Sequence, residues 1–371
     1  MKYRILLINW QDIANPKGGG AEVHAHQIFK RIAGKGHEVI QFSCLFPNAP
    51  REETIDGIRV MRCGGRKVFN FMVPAAYKKL SRQMKLDIVI DDINKIPFYT
   101  PLFVREPLVG IVHHLFGKSI LLETSWIQAH YVLLGERLIP RIYKHKRLVA
   151  VSESTRRELN QWGISNNNID IVLNGIDPQQ YYILPGMKDP NPLIGYYGRL
   201  KKYKCIDHLI RALGLVVRQI PNARLLIVGM GDYQKELERL VGKLNLNPYV
   251  RFVSTTHPHE SVKYLNQMWV VANPSPKEGW GLTVIEANAC GTPVVAADSQ
   301  GLRDSVIDGE TGFLYPWGDI DRLADRIVQI ISNKKLRQKL ERGAENWAKK
   351  FSWDESASEM MSIIEHVVNG S

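Results

Sequence analysis

No apolar run in the 371 residues approaches the length needed to span a bilayer. The four cysteines, Cys44, Cys63, Cys205 and Cys290, are scattered and form no close pair. That excludes a thiolate metal centre or a dithiol redox motif and favours a reducing, cytoplasmic compartment. The opening "MKYRILLINWQD" turns polar after a short apolar stretch, as a first buried strand does and a signal peptide does not. Solenoid repeats and low-complexity tracts are missing. So are zinc-finger and RNA-recognition motifs, and the aromatics do not interleave with basic residues as a stacking platform requires. The chain is therefore not expected to bind nucleic acid.

Acidic residues are in deficit: 37 Asp+Glu against 49 Lys+Arg leave a formal net charge of +12. An anionic partner follows, such as a phosphorylated substrate or an acidic lipid surface. Basic clusters stand at residues 77–85 ("YKKLSRQMK") and 140–147 ("PRIYKHKR"), where a solvated helix face competes evenly with docking. Hydrophobic residues at 44% are enough for two ordinary α/β domains.

Short β-branched runs alternate with helical patterns from end to end. "YRILLI", "HEVIQFS", "IRVMR", "DIVIDDI", "LVGIVHH", "LVAVSES" and "IDIVLN" precede residue 175, and "LIGYYG", "RLLIVG", "VRFVS", "WVVANP", "PVVAAD" and "GFLYP" follow residue 192. Such apolar strands suit parallel sheets covered on both faces. Ile206, Leu209, Ile210, Leu213, Val216, Val217 and Ile220 form one amphipathic helical stripe, and Ala357, Met360, Met361, Ile364, Val367 and Val368 another. The expected fold class is α/β with two doubly wound, Rossmann-like domains, at 1–180 and 193–353, joined by a linker at 181–192. Ligands bind such sheets at the carboxyl ends of the strands.

Three constellations carry chemistry. In "NPKGGGAEVHAHQIFKRI", Gly18, Gly19 and Gly20 lead into a helix whose free N–H groups suit an anion, with an ordinary flexible turn as the competing reading. The spacing is not G-x-G-x-x-G, which weakens a nicotinamide cofactor. His24 and His26 read as packing or surface residues, because nothing nearby completes a metal-ligand spacing. In "GYYGRLKKYK", Arg199 and Lys204 lie between a strand and a helix, placed to clamp a diphosphate, with an ordinary basic loop as the competing reading. In "PSPKEGWGLTVIEANACGTPVVA", Glu278 precedes a helix and Glu286 sits inside it, so the two cannot share a helical face. Gly279 and Gly281 expose backbone N–H groups between them. Glu286 has apolar neighbours and needs hydrogen-bond partners, which ribose hydroxyls would supply.

Taken together these residues resemble the retaining glycosyltransferases of family 4 (glycosyl transferases group 1), which have the GT-B fold. The resemblance rests on Glu278…Glu286, on Gly198–Arg199–Leu200 with Lys204, and on the early glycine loop with Gly36–Val39. "VSESTRRELNQWG", Asn174–Gly175 with Asp177, "DGETGFLY" and "FSWDESA" complete it. It covers nearly the whole chain and implies a donor site in the interdomain cleft, with helix 354–371 returning to the N-terminal domain. Arg199 and Lys204 would hold the donor diphosphate in place of a metal ion, so neither cofactor nor metal is expected. Glu286 would take the ribose and Glu278 the transferred sugar, and backbone groups of Gly279, Trp280, Gly281, Leu282, Thr283, Gly19 and Gly20 would contact sugar or phosphate. His113 corresponds to the family's active-site histidine, with His114 and Asn94 on the acceptor side. Two departures, Cys205 where glycine is usual and the absent glycine in "RFVSTTHPHE", leave the donor base open between UDP- and GDP-sugars.

The implied reaction moves a hexose to a hydroxyl of a glycan, lipid-linked or small-molecule acceptor with retention, by front-face substitution in preference to double displacement. A hydrolase or phosphorylase on the same scaffold, or a non-enzymatic basic surface-binding protein, are the rivals. A pyridoxal-phosphate phosphorylase would need a Schiff-base lysine, and no local pattern marks one. Residues 119–147 combine aromatics, leucines and a basic end, and are expected to dock on the inner face of an anionic membrane unless they form a core helix.

Overall fold

The computed structural model describes residues 1–94, 96–122, 126–255 and 258–370. It divides into two compact units: Met1–Gly175 with the chain from Ser352 onward, and Ile176–Phe351. The boundary thus falls slightly earlier than residue 180. Residues 181–192, read above as a linker, belong to the second unit, because their polar groups are tied into it. The Leu184 N–H donates to Asn266 at 2.7 Å, and Lys188 Nζ donates to the Met268 carbonyl at 2.6 Å and to Thr292 at 2.7 Å.

The strands of the first unit are β1 (Arg4–Ile8), β2 (Glu38–Leu45), β3 (Glu52–Ile55), β4 (Ile58–Gly65), β5 (Ile88–Ile93), β6 (Leu108–Val112), β7 (Arg147–Ala150) and β8 (Ile169–Ile171). Its helices are α1 (Gly20–Gly34), α2 (Phe69–Gln83), α3 (Trp126–Ile142) and α4 (Glu153–Gln161), joined by the last helix of the chain, α12 (Trp353–Asn369). The sheet order is β3-β4-β2-β1-β5-β6-β7-β8. Every pairing is parallel except β3 with β4. That hairpin turns through Asp56 and Gly57, both at positive φ (47° and 82°), the tight two-residue turn that Asp-Gly favours.

β1 and β5 are buried almost throughout because helices cover both faces of the sheet. One apolar cluster joins Leu6, Ile8, Phe42, Phe69 and Val73, and another joins Ile93, Val112, Tyr143 and Leu148. α12 packs on α1, and its start is fixed by Ser352, whose hydroxyl accepts the Asp354 and Glu355 N–H groups. Ser356 donates to the Leu173 carbonyl at 2.7 Å and Arg31 meets Asp354 at 2.6 Å. A Cβ on Gly175 would stand 2.2 Å from the Trp353 nitrogen, so only glycine admits this close approach.

The second unit contains β9 (Leu193–Tyr197), β10 (Arg224–Val228), β11 (Val250–Val253), β12 (Val270–Asn273), β13 (Val294–Ala297) and β14 (Gly312–Tyr315). They form a wholly parallel sheet in the order β11-β10-β9-β12-β13-β14. The helices between and after them are α5 (Ile206–Gln219), α6 (Gln234–Lys243), α7 (Pro258–Gln267), α8 (Leu282–Ala289), α9 (Leu302–Ser305), α10 (Ile320–Ser332) and α11 (Lys334–Ala348). α5 buries Ile206, Leu209, Ile210, Leu213 and Val216 of its apolar stripe. The sheet order reverses between β9 and β12, a switch point that opens a crevice at the strand ends.

Candidate active site

In the second unit, β9 ends at Tyr197 and the chain passes through Gly198 (φ 145°) to Arg199 and Lys204. Cys205, the residue in place of glycine, adopts φ 51° at the start of α5, the left-handed conformation that glycine would take at less cost. Lys204 Nζ forms an ion pair with Glu278 Oε1 and lies 5.0 Å from the Tyr203 ring centroid. Burial alone would lower the Lys204 pKa, but the Glu278 charge outweighs it and holds the ammonium above the usual lysine range. Arg199 is exposed and its guanidinium donates to Tyr203 Oη at 3.3 Å.

Glu278 is set by its backbone, which donates to the Gln300 carbonyl at 3.0 Å. Gly281 precedes α8 at φ 103°, where a Cβ would meet Ser305 Oγ at 2.9 Å. α8 then presents Leu282 and Thr283 in its first turn, with free N–H groups at its start. Trp280 is buried against Phe351 at 5.3 Å between centroids, so only its backbone can serve a ligand.

Glu286 keeps part of its surface open while packed atoms strip water from its carboxylate. Burial pushes its pKa up to about 7, and a hydrogen bond from Tyr181 pulls it back only in part. Tyr181 and Tyr197 hydroxyls stand 3.3 Å apart, and burial followed by the Glu286 charge raises the pKa of both phenols. Sequence reasoning missed these two tyrosines. Tyr197 was visible in "GYYG", while Tyr181 was hidden in residues read as a linker.

In the first unit, the ends of β1, β5 and β6 bring a polar chain together. Glu22, in the first turn of α1, accepts the Gly19 N–H at 2.7 Å and the Asn94 amide at 3.0 Å. Asn94 also donates to Asn9 at 3.1 Å, and Asn9 donates to Asp92 at 2.7 Å. Asp92 Oδ1 lies 2.8 Å from His113 Nε2, a close approach without hydrogen-bond alignment. The His113 ring meets His24 edge-on at 5.0 Å, and His24 in turn packs at 6.1 Å from Trp353. Burial, then the neighbouring His113, holds His24 well below the usual histidine pKa, so it packs as a neutral ring. His26 pairs with Asp56 at 2.9 Å. His114 is half-buried and packs 4.4 Å from Phe116, whereas the Asn94 carbonyl oxygen has no partner among the described residues. Asp92 and Glu22 are the polar neighbours that sequence reasoning passed over. Lys95, which follows Asn94, and Thr256 and His257 of "RFVSTTHPHE" lie outside the described residues.

Most of both clusters, Asn9 and Tyr181 excepted, falls within regions matched by family models. Residues 18–180 match Glycosyltransferase Family 4 and residues 185–347 match Glycosyl transferases group 1. A D-inositol 3-phosphate glycosyltransferase of Nocardioides sp. is 30% identical over 93% of this chain and 84% of its own length. The Frankia alni protein of the same name is 29% identical over 64% of this chain, and the match spans 62% of that relative's length. Among solved structures, sucrose-phosphate synthase from Thermosynechococcus elongatus superposes with a TM-score of 0.87 over 100% of both chains at 23% identity. Anabaena Alr3699/HepE in complex with UDP-glucose gives 0.79 over 98% of this chain and 99% of its own at 20% identity. These likenesses show the GT-B fold. The chain belongs to the group 1, family 4 glycosyltransferases.

Proposed function

We propose that this protein is a metal-independent, retaining hexosyltransferase that uses a UDP- or GDP-sugar and an acceptor hydroxyl on a glycan, lipid-linked or small-molecule acceptor. The observation that carries the reading is the Lys204–Glu278 ion pair beside Arg199, with Glu286 further along α8. When a donor enters, the pair opens. Lys204 and Arg199 turn to the diphosphate, and Glu278 turns to the hydroxyls of the sugar. Glu286, between Tyr181 and the open side of α8, takes the ribose hydroxyls. The N–H groups of Gly281, Leu282 and Thr283 face the phosphate side.

The bond from the anomeric carbon to the leaving phosphate oxygen breaks as the acceptor oxygen bonds to the same face. The acceptor proton passes to the departing phosphate. Two cations and helix-terminal N–H groups meet the developing charge, which supports catalysis without a metal. His113, beside Asp92, is assigned to positioning the sugar, together with backbone groups of Gly19 and Gly20, and Asn94 and His114 to the acceptor.

Thermal-shift titration with UDP-, GDP-, ADP- and TDP-sugars, with and without chelator, tests the proposal. A UDP- or GDP-sugar should stabilise the protein equally in both conditions. Stabilisation abolished by chelator would remove metal independence. No response to any donor, or unchanged donor affinity in Glu286→Ala, would remove the transferase assignment.

A further inference from the structure

Most of the strongly exposed large apolar side chains lie in one part of the first unit. α3 carries Trp126 (70% exposed), Ile127 (76%), Tyr131 (47%) and Leu134 (60%) on its outer side. α2 adds Phe71 (70%) and Met72 (41%), and Asn70 of its first turn donates to Tyr131 Oη at 3.3 Å, so the two helices share one surface. Monomeric proteins seldom leave this much contiguous apolar surface without a partner.

Among the described residues, the exposed charges on α2 and on the outer side of α3 are of one sign. From residue 57 to residue 86 the sequence contains no Asp or Glu, while Lys78, Lys79 and Arg82 are exposed along α2. Phe71, Ala75, Lys78 and Arg82 follow one another at spacings of four, three and four, so one helical stripe runs from apolar to basic. On α3, Arg137 and Arg141 are exposed on the outer side. Its single acid, Glu136, is turned inward to accept the Phe116 and Gly117 N–H groups. Residues 123–125, within the stretch singled out by sequence, lie outside the described residues.

We infer that this α2–α3 surface docks on an anionic lipid bilayer, with Trp126, Ile127, Leu134 and Phe71 entering the interface and the cations meeting headgroups. A second copy of the chain is a poor occupant, since it would set cation against cation. Nucleic acid would use the charges but gains nothing from exposed Ile127 and Leu134. No helix among the described residues is long and apolar enough to cross a membrane, so this is attachment to a surface. The consequence that the acceptor is membrane-borne rests on the transferase reading, whereas the docking itself does not.

Vesicle sedimentation of the full chain, with phosphatidylcholine alone and with phosphatidylcholine containing phosphatidylglycerol, tests it without donor or turnover. Binding is expected only to the anionic vesicles and to weaken with salt. The triple variant Lys78→Gln, Lys79→Gln, Arg82→Gln should lower partitioning on the order of a hundredfold. Ile127→Ser with Leu134→Ser should lower it about tenfold or more. Both variants should keep the parent's melting temperature and its response to nucleotide sugars. Equal binding to neutral vesicles, no binding, or partitioning untouched by the variants overturns the inference. So does a concentration-dependent dimer that the same variants dissolve, since that makes the patch a protein interface. A donor response without vesicle binding refutes the surface alone, and vesicle binding without a donor response refutes the transferase alone.

Discussion

Substituting Glu286 by glutamine probes the carboxylate on which ribose binding is proposed to depend. Burial raises its pKa from the ordinary carboxylate value of 4.5 to about 7. The folded protein therefore holds a proton that the unfolded chain has released. The stability gained from this group is fully present below pH 4.5 and is lost as pH rises to 7. The rise from 4.5 to about 7 corresponds to about 3 kcal/mol. Glu286→Gln keeps the shape and removes the titration. Urea unfolding at intervals from pH 4.5 to 8.5 should thus show the parent losing about 3 kcal/mol relative to the variant. Donor binding runs the other way. Ribose hydroxyls donate to the charged form, and a hydrogen bond to a charged group contributes about 1.5–3 kcal/mol, so the variant should bind donor roughly 10- to 100-fold more weakly. Calorimetry at pH 7 in two buffers of different ionisation enthalpy should detect a proton released as donor binds. Parallel pH profiles for parent and variant, or no proton release, would refute the reasoning.

The Lys204–Glu278 pair is partly shielded, with side-chain exposures of 14% and 15%. Glu278→Gln should cost about 1–3 kcal/mol, and a double-mutant cycle with Lys204→Met in urea should show coupling well above a surface pair. Arg62 holds Asp12 through two contacts of 2.7 and 2.8 Å with both side chains wholly buried, and Ser43 adds a third. Arg62→Leu should therefore destabilise the protein by about 3–5 kcal/mol in the same assay. Burial pushes the Asp12 pKa up, but the Arg62 and Ser43 hydrogen bonds prevail and hold it below 3.8, so its stabilisation persists above pH 3.8 and disappears on further acidification. Gly175→Ala drives a Cβ into the Trp353 backbone. It should cost at least about 1–3 kcal/mol and expose α12 to limited proteolysis at a rate the parent does not show.

Much of the architecture was readable because its signals are local. The apolar runs that became β1, β5 and β9, and the stripe of α5, follow from periodicity that needs no tertiary knowledge. The edge strand β3 was overlooked: "EETI" is short and charged, and only the Asp56–Gly57 turn betrays it. Glu286 was legible through its apolar neighbours. Its partner Tyr181 was not, since 105 positions separate them and only the fold brings them together. The Asp92–His113 contact is likewise a product of β5 lying beside β6. Cys205 takes the left-handed conformation at φ 51°, which its residue type does not announce in the sequence. Phe71 escaped notice because a lone exposed phenylalanine has meaning only beside another helix.

The chain leaves the first unit at Gly175 and returns to it at Ser352, and the two passing segments are joined where the Ile176 N–H donates to the Phe351 carbonyl at 3.3 Å. In order of synthesis the first unit is therefore finished last. Its sheet emerges early but waits for the second unit to be made before α12 can cover α1. The second unit is contiguous in sequence and can complete itself as it appears. A truncation before Trp353 should damage the part made first, leaving the part made later intact.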